Sequence, residues 1–248
     1  MCTVVVSVDP SAEVPVLLAG VRDEFVDRRW RPPSAHWAGW PGLLGGLDLQ
    51  AGGTWLAVDP DVPRVAAVLN GKGSPAPQDG RRSRGELPLL GAERGDMDLK
   101  DSELPSFDPF HLVLAEPDGA RLWSWDGDRL VVAAMTPGLH MITSTGLDRA
   151  DDQARVAYFL PRFRAAPRPT PSSGQARESA WGEWLPLVDG DGVDPSDPRA
   201  MVMRRRASDR AWASTSTTLV ALAPGGVRYD FSARPGDADA WETVLDRL

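Results

Sequence analysis

The residue with the clearest chemical potential is Cys2, the single cysteine of the chain, which follows Met1. Its side chain is small, so we expect an aminopeptidase to remove Met1 and leave Cys2 as the N-terminal residue. Cys2 would then supply both a thiol nucleophile and an α-amine, whose ordinary pKa of about 8 suits a general base. These are the two groups that an amide-cleaving N-terminal cysteine needs.

Two apolar runs after Cys2, residues 4–8 and 14–20, predict a β-hairpin with its turn near residue 12. The predicted register is Val8 opposite Val16, Val4 opposite Gly20 and Cys2 opposite Arg22. The hairpin therefore places Cys2, Arg22 and Asp23 at the same end of one strand pair.

The residue types at that end are suited to amide chemistry. A carboxylate such as Asp23 can orient the α-amine, and a guanidinium such as Arg22 can favour the thiolate or hold a substrate carbonyl or carboxylate. We therefore expect the pKa of the Cys2 thiol to be lowered. Asn70 ends a predicted strand, and its amide is a candidate donor to an oxyanion.

Binding residues are expected from aromatic and basic side chains nearby in sequence. Trp30, Trp37, Trp40 and Trp55 are candidates for an aromatic wall, with Trp55 the strongest, although core packing explains tryptophans equally well. Arg82 and Arg84 are candidates to bind an anionic substrate, and a solvated loop is the alternative.

Composition limits the class of protein. The 248 residues carry a formal net charge of −8, which disfavours nucleic acid and anionic membrane surfaces as partners. Residues 1–248 are expected to form a single domain. One cysteine excludes an intrachain disulfide, and the scattered histidines give no metal-binding spacing, so we expect no metal. With neither a signal peptide nor a long apolar run, a cytoplasmic protein is expected; the oligomeric state stays open.

Predicted strands outnumber predicted helices, which favours an α+β layered fold. Further strands are predicted at 54–58, 64–70, 110–114, 121–125, 129–133, 217–223 and 227–231. A capping box at 83–86 predicts one helix, and residues 178–187 predict a weaker one. A third is predicted from Asp151, with Val156, Phe159, Leu160 and Phe163 on one face and Pro161 ending or kinking it.

Several motifs occur in order along the chain. They are Met1-Cys2-Thr3, Leu18-Ala19-Gly20-Val21-Arg22-Asp23-Glu24-Phe25, Gly45-Gly46-Leu47-Asp48, Ala51-Gly52-Gly53-Thr54-Trp55-Leu56, Ala66-Ala67-Val68-Leu69-Asn70 and Arg82-Ser83-Arg84-Gly85-Glu86-Leu87. With weaker blocks at 136–138 and 216–220, they resemble the NRDE, or transport-and-Golgi-organisation 2, family. The resemblance implies an N-terminal-nucleophile (Ntn) hydrolase-like fold, a four-layer α/β/β/α sandwich with two mostly antiparallel sheets. It also implies that Cys2 is the nucleophile, Arg22 and Asp23 the conserved pair, and Asn70 an oxyanion position.

Three positions depart from the family pattern: Val21 replaces an asparagine, residues 143–145 lack a second amide donor, and Ser214 stands near a usual arginine. The leading hypothesis is a cysteine Ntn-type amidohydrolase or acyltransferase that acts on a small amide or acyl compound without a cofactor. A second is a protein that binds or traffics haem or an acyl-CoA-like ligand in the same cleft. A third is a mainly structural role.

Overall fold

A computed structural model describes residues 2–248, and the described chain is mainly strands. The first nine are β1 (Thr3–Val8), β2 (Val16–Phe25), β3 (Trp30–Ser34), β4 (Leu44–Asp48), β5 (Leu56–Asp59), β6 (Arg64–Asn70), β7 (Phe110–Glu116), β8 (Gly119–Trp125) and β9 (Leu130–Ala134). The others are β10 (Gly138–Thr143), β11 (Gly146–Leu147), β12 (Arg204–Ala207), β13 (Arg210–Ala223), β14 (Gly226–Ser232) and β15 (Trp241–Asp246). The α-helices are α1 (Leu87–Arg94), α2 (Ala154–Ala165), α3 (Arg177–Trp181) and α4 (Trp184–Val188).

The strands form two antiparallel sheets. The first has the order β11-β10-β1-β2-β13-β14-β15, with β12 paired to β13. The second has the order β3-β4-β5-β6-β7-β8-β9, so each strand pairs with its neighbour in sequence. Such consecutive pairing is a meander, in which the connection between β6 and β7, residues 71–109, is long and contains α1.

The predicted register of the first hairpin is confirmed, because Val8 pairs with Val16 and Val4 pairs with Gly20. The last pair of the ladder is Thr3 with Val21, which brings the residue before Thr3 to the level of Arg22. The β-branched run therefore carries Cys2 to the end of β2 where Arg22 and Asp23 lie.

Three apolar clusters define the layers. Alternate residues of β1, including Val4 and Val6, pack between the sheets against Leu56 and Leu69 of the second sheet. The intervening Val5 faces outward and packs with α2, α3 and α4, because successive strand residues point to opposite faces. Helix α1 covers the outer face of the second sheet. The α/β/β/α order implied by the resemblance is confirmed.

The helices differ in detail from the sequence prediction. Helix α2 continues through Pro161 to Ala165, because its buried face, with Val156 and Phe159, packs on the first sheet and outweighs the lost hydrogen bond. The weaker predicted helix is divided into α3 and α4 at Gly182, whose φ of 48° lies outside the right-handed helical region. Within residues 2–248, every helix is too short or too polar to cross a membrane.

Candidate active site

An open cleft of about 620 Å³ lies where the two sheets end beside Cys2. Its lining includes seven of the ten candidates named from the sequence: Cys2, Arg22, Asp23, Trp55, Asn70, Arg82 and Arg84. Cys2 directly precedes β1, Arg22 and Asp23 lie on β2 of the same sheet, and Asn70 ends β6 of the other sheet. The fold thus brings Cys2, Arg22, Asp23 and Asn70 to one cleft, as the sequence predicted.

Cys2 is partly buried, and its thiol donates a long hydrogen bond to the main-chain carbonyl of Asp23, with an Sγ···O distance of 3.8 Å. Burial raises the pKa of the Cys2 thiol above its ordinary value, and Arg22 nearby offsets only part of that rise. The expected lowering of this pKa is therefore wrong, because desolvation of the thiolate outweighs the attraction of one guanidinium. The thiol needs a base to become a nucleophile.

Arg22 is held rigidly on the side of β2 that faces the second sheet. Its guanidinium donates to the Thr215 hydroxyl at 2.9 Å and lies 4.4 Å from the centre of the Trp55 ring. Arg22 Nη2 also forms ion pairs with Asp48 Oδ2 at 3.6 Å and with Glu24 Oε2 at 3.8 Å. Burial lowers the pKa of Arg22, although an arginine so paired keeps its charge. A bulge in the pairing of β13 with β2, between Ser214 and Ser216, puts Thr215 in position.

Asp23 directs its carboxylate towards α2, since consecutive strand residues face opposite ways. Its Oδ2 accepts a hydrogen bond from Arg155 at 2.9 Å, and its Oδ1 accepts one from Ser214 at 2.6 Å. The same Arg155 guanidinium donates to the Thr3 hydroxyl at 2.8 Å. Neither Arg155 nor Ser214 was selected from the sequence as a site residue, because their partners are distant along the chain.

Asp48 fixes the loop between β4 and β5 at the rim. Its carboxylate accepts main-chain hydrogen bonds from Gln50 and Ala51 and a side-chain hydrogen bond from Arg28 at 2.7 Å. Burial alone would raise the pKa of Asp48, but these hydrogen bonds hold it below its ordinary value. Asp48 therefore acts as an anion at neutral pH, between Arg22 and Arg28.

Trp55 forms part of the cleft wall because Gly46 leaves room for its ring. A Cβ built on Gly46 would lie 2.2 Å from the Trp55 ring, so only glycine fits there. Trp30 supports Trp55 edge-to-face from the core. Trp37 and Trp40 pack on the outer face of the second sheet instead. Of the four tryptophans predicted to form an aromatic wall, only Trp55 is among the described residues that line the cleft. Trp212 also lines the cleft, on β13, which the sequence prediction began only at Thr217.

Asn70 is exposed at the end of β6, and within residues 2–248 its side-chain amide has no hydrogen-bond partner. Its main chain pairs with Phe110, which fixes the position of the residue. The amide is therefore free to donate to a ligand in the cleft.

Arg82 and Arg84 differ in their surroundings. Arg82 forms ion pairs with Glu86 at 2.7 Å and Glu103 at 2.8 Å and stacks over Phe107. Arg84 donates to the main-chain carbonyl of Pro109 at 2.8 Å. The contacts of Arg82 favour a structural contribution, so its role in substrate binding stays a prediction.

The family model for Transport and Golgi organisation 2 matches residues 1–172. The chain belongs to this family. Comparison with curated proteins found no match. Among solved structures, a penicillin V acylase from Agrobacterium tumefaciens is similar over 94% of this chain and 83% of the acylase chain, at 14% identity and a TM-score of 0.47.

The structure shows what replaces the family residues at the three positions of departure. Val21 is buried in the core between the first sheet and its helices. Thr143 is buried and its hydroxyl contacts that of Thr145 at 3.0 Å, outside the set of described residues that line the cleft. Ser214 binds Asp23, as described above.

Across residues 2–248 there is no group of three or more histidine, cysteine or acidic side chains placed to hold a metal ion.

Proposed function

We propose that this member of the Transport and Golgi organisation 2 family is a cysteine amidohydrolase or acyltransferase of the Ntn type. Its substrate is a small amide or acyl compound, and Cys2 is the nucleophile. The observation that supports this most is the shared cleft, which Cys2, Arg22 and Asn70 all line. The proposal requires that Met1 is removed.

The first half of the reaction forms an acyl-enzyme. The α-amine of Cys2 takes the thiol proton, and the sulfur attacks the substrate carbonyl. The raised pKa of the Cys2 thiol is compatible with this order, because the proton leaves as the carbon–sulfur bond forms. The Asn70 amide donates to the oxyanion, and the α-ammonium returns the proton to the leaving nitrogen as the carbon–nitrogen bond breaks.

The second half releases the acyl group. Water, or the nucleophile of an acceptor, attacks the thioester carbonyl while the α-amine takes its proton. The carbon–sulfur bond then breaks, and the sulfur recovers a proton as a thiol. Asp23 orients the amine from the opposite face of the strand, and the hydrogen bonds from Arg155 and Ser214 keep its carboxylate in place.

The test is product formation from a panel of amides and acyl-thioesters. Cys2→Ala should abolish turnover while ligands still bind, because little contact area is lost. Asn70→Ala should lower kcat by roughly 100- to 1,000-fold with KM little changed, as expected for the loss of one oxyanion donor. Arg210→Gln, at an exposed arginine of the same cleft, is the matched control and should retain activity. Product formation that survives Cys2→Ala would exclude Cys2 as the nucleophile.

A second candidate is a binding protein for an acyl-CoA-like or haem-like ligand. The raised pKa of the Cys2 thiol favours it, because a protonated thiol is a poor nucleophile without a base. The cleft also has the size of ligand pockets and two tryptophans in its lining, Trp55 and Trp212. Titration with acyl-CoA and with haem distinguishes the two functions: a binder shows micromolar affinity unchanged by Cys2→Ala and forms no product.

A further inference from the structure

The cleft is rich in arginines. An arginine without a carboxylate partner is the one whose positive charge is available to bind an anionic ligand. Six arginines contribute to the lining. Five of them have a described carboxylate partner at 2.5–3.6 Å: Arg22 with Asp48, Arg28 with Asp48, Arg81 with Asp108, Arg82 with Glu86 and Arg210 with Asp27. The sixth is Arg84. Among the described residues, no carboxylate lies within 4.0 Å of its guanidinium.

The one hydrogen bond of Arg84 leaves its best binding edge open. Nη1 donates to the carbonyl of Pro109 at 2.8 Å, and within the described chain Nε and Nη2 have no hydrogen-bond partner. This pair of donors matches the two oxygens of a carboxylate. Burial lowers the pKa of Arg84, and the negative charge of Asp108 opposes this effect; the Arg84 side chain is only partly exposed.

Arg84 also lies next to the proposed oxyanion donor. The Pro109 carbonyl that accepts from Arg84 accepts a second hydrogen bond from the main-chain N–H of Gly71, at 2.8 Å. Gly71 follows Asn70 directly, so the Pro109 carbonyl links the Arg84 guanidinium to the residue next to Asn70. Because Asn70 and Arg84 line the same cleft, both are available to a ligand bound there.

We propose that the substrate is a small N-acyl amide with a carboxylate a few bonds from the reacting carbonyl, and that Arg84 binds that carboxylate. This deepens the proposed function and rests on it. A doubly charged phosphate fits less well, because Arg84 is the one arginine of the described lining without a carboxylate partner, and its charge balances a single negative charge. Arg84 is thus a residue that sets specificity for a monoanion.

The experiment measures binding to Cys2→Ala protein, so that it does not depend on turnover. The probes are N-benzoylglycine, its neutral amide N-benzoylglycinamide, and the corresponding aminomethylphosphonate, each titrated by calorimetry. The carboxylate should bind about 10- to 100-fold more tightly than the neutral amide, the range of a charge-assisted hydrogen-bond pair. Adding Arg84→Gln should remove that preference. Arg84→Lys, which keeps the charge but not the two-donor edge, should retain part of it.

Arg210→Gln in the same background is the matched control, since Arg210 already has Asp27 as its partner, and it should keep the full preference. Thermal melting confirms that each variant is folded. Equal affinity for the carboxylate and the amide, a preference that survives Arg84→Gln, tighter binding of the phosphonate, or no binding of any probe would each overturn the assignment. Wild-type protein that binds the carboxylate selectively but forms no product would instead refute the proposed hydrolysis and leave the anion site in place.

Discussion

Replacing Arg155 with methionine should destabilise the fold strongly, because it removes a buried partner of the Asp23 carboxylate. The Asp23 side chain is 0% exposed and that of Arg155 is 8% exposed, with 2.9 Å between Nη1 and Oδ2. At this depth the cost of breaking one side of an ion pair is about 3–5 kcal/mol, compared with about 0–1 kcal/mol for a pair on the surface. Loss of the hydrogen bond to Thr3 acts in the same direction.

Urea unfolding followed by circular dichroism measures the effect as a change in the extrapolated free energy of unfolding. The double variant Asp23→Asn/Arg155→Met should cost less than the sum of the two single variants, with a coupling of at least about 1 kcal/mol. Arg210→Met is the control at an exposed pair and should leave the urea midpoint nearly unchanged. A loss of less than about 1 kcal/mol for Arg155→Met, or strict additivity in the cycle, would refute the buried pair.

Three further predictions follow from the site. The alkylation rate of Cys2 by iodoacetamide should rise with pH around a midpoint above that of free cysteine, because burial raises the pKa of the thiol; a midpoint at or below the free value would contradict this. Asp48→Asn should cost about 1–3 kcal/mol at pH 7. Because the pKa of Asp48 is lowered in the fold, its contribution is full above the unfolded pKa and is lost as pH falls through the folded pKa, so wild type and variant should converge in acid unfolding experiments. Gly46→Ala should cost about 1–3 kcal/mol by a clash with Trp55, whereas Gly39→Ala, with open space at its Cβ, should be nearly neutral in the same urea assay.

The part of the site that was predictable from sequence is the part fixed by local pairing. A β-branched run and a short turn set the register of β1 with β2, and that register alone brings Cys2 to Arg22 and Asp23. Asn70 could be placed at a strand end for the same reason, because its strand has the predicted bounds.

What could not be predicted depends on contacts between distant segments. Arg155 lies on a helix whose apolar face was recognised, but its pairing with Asp23 joins positions 132 residues apart. Trp212 belongs to the first half of β13, where polar residues hide the strand pattern. The pKa of Cys2 was predicted in the wrong direction because burial, unlike a neighbouring charge, cannot be judged from adjacent residues.

The central claim, that Cys2 acts as an N-terminal nucleophile, is tested most directly by intact-mass spectrometry of the purified protein before and after incubation with an acyl-thioester. We predict a mass that lacks Met1, followed by a shift equal to one acyl group that fragmentation assigns to Cys2. The shift should be absent in Cys2→Ala. A mass that retains Met1 would contradict the claim, because the α-amine of Cys2 would then be tied up in a peptide bond.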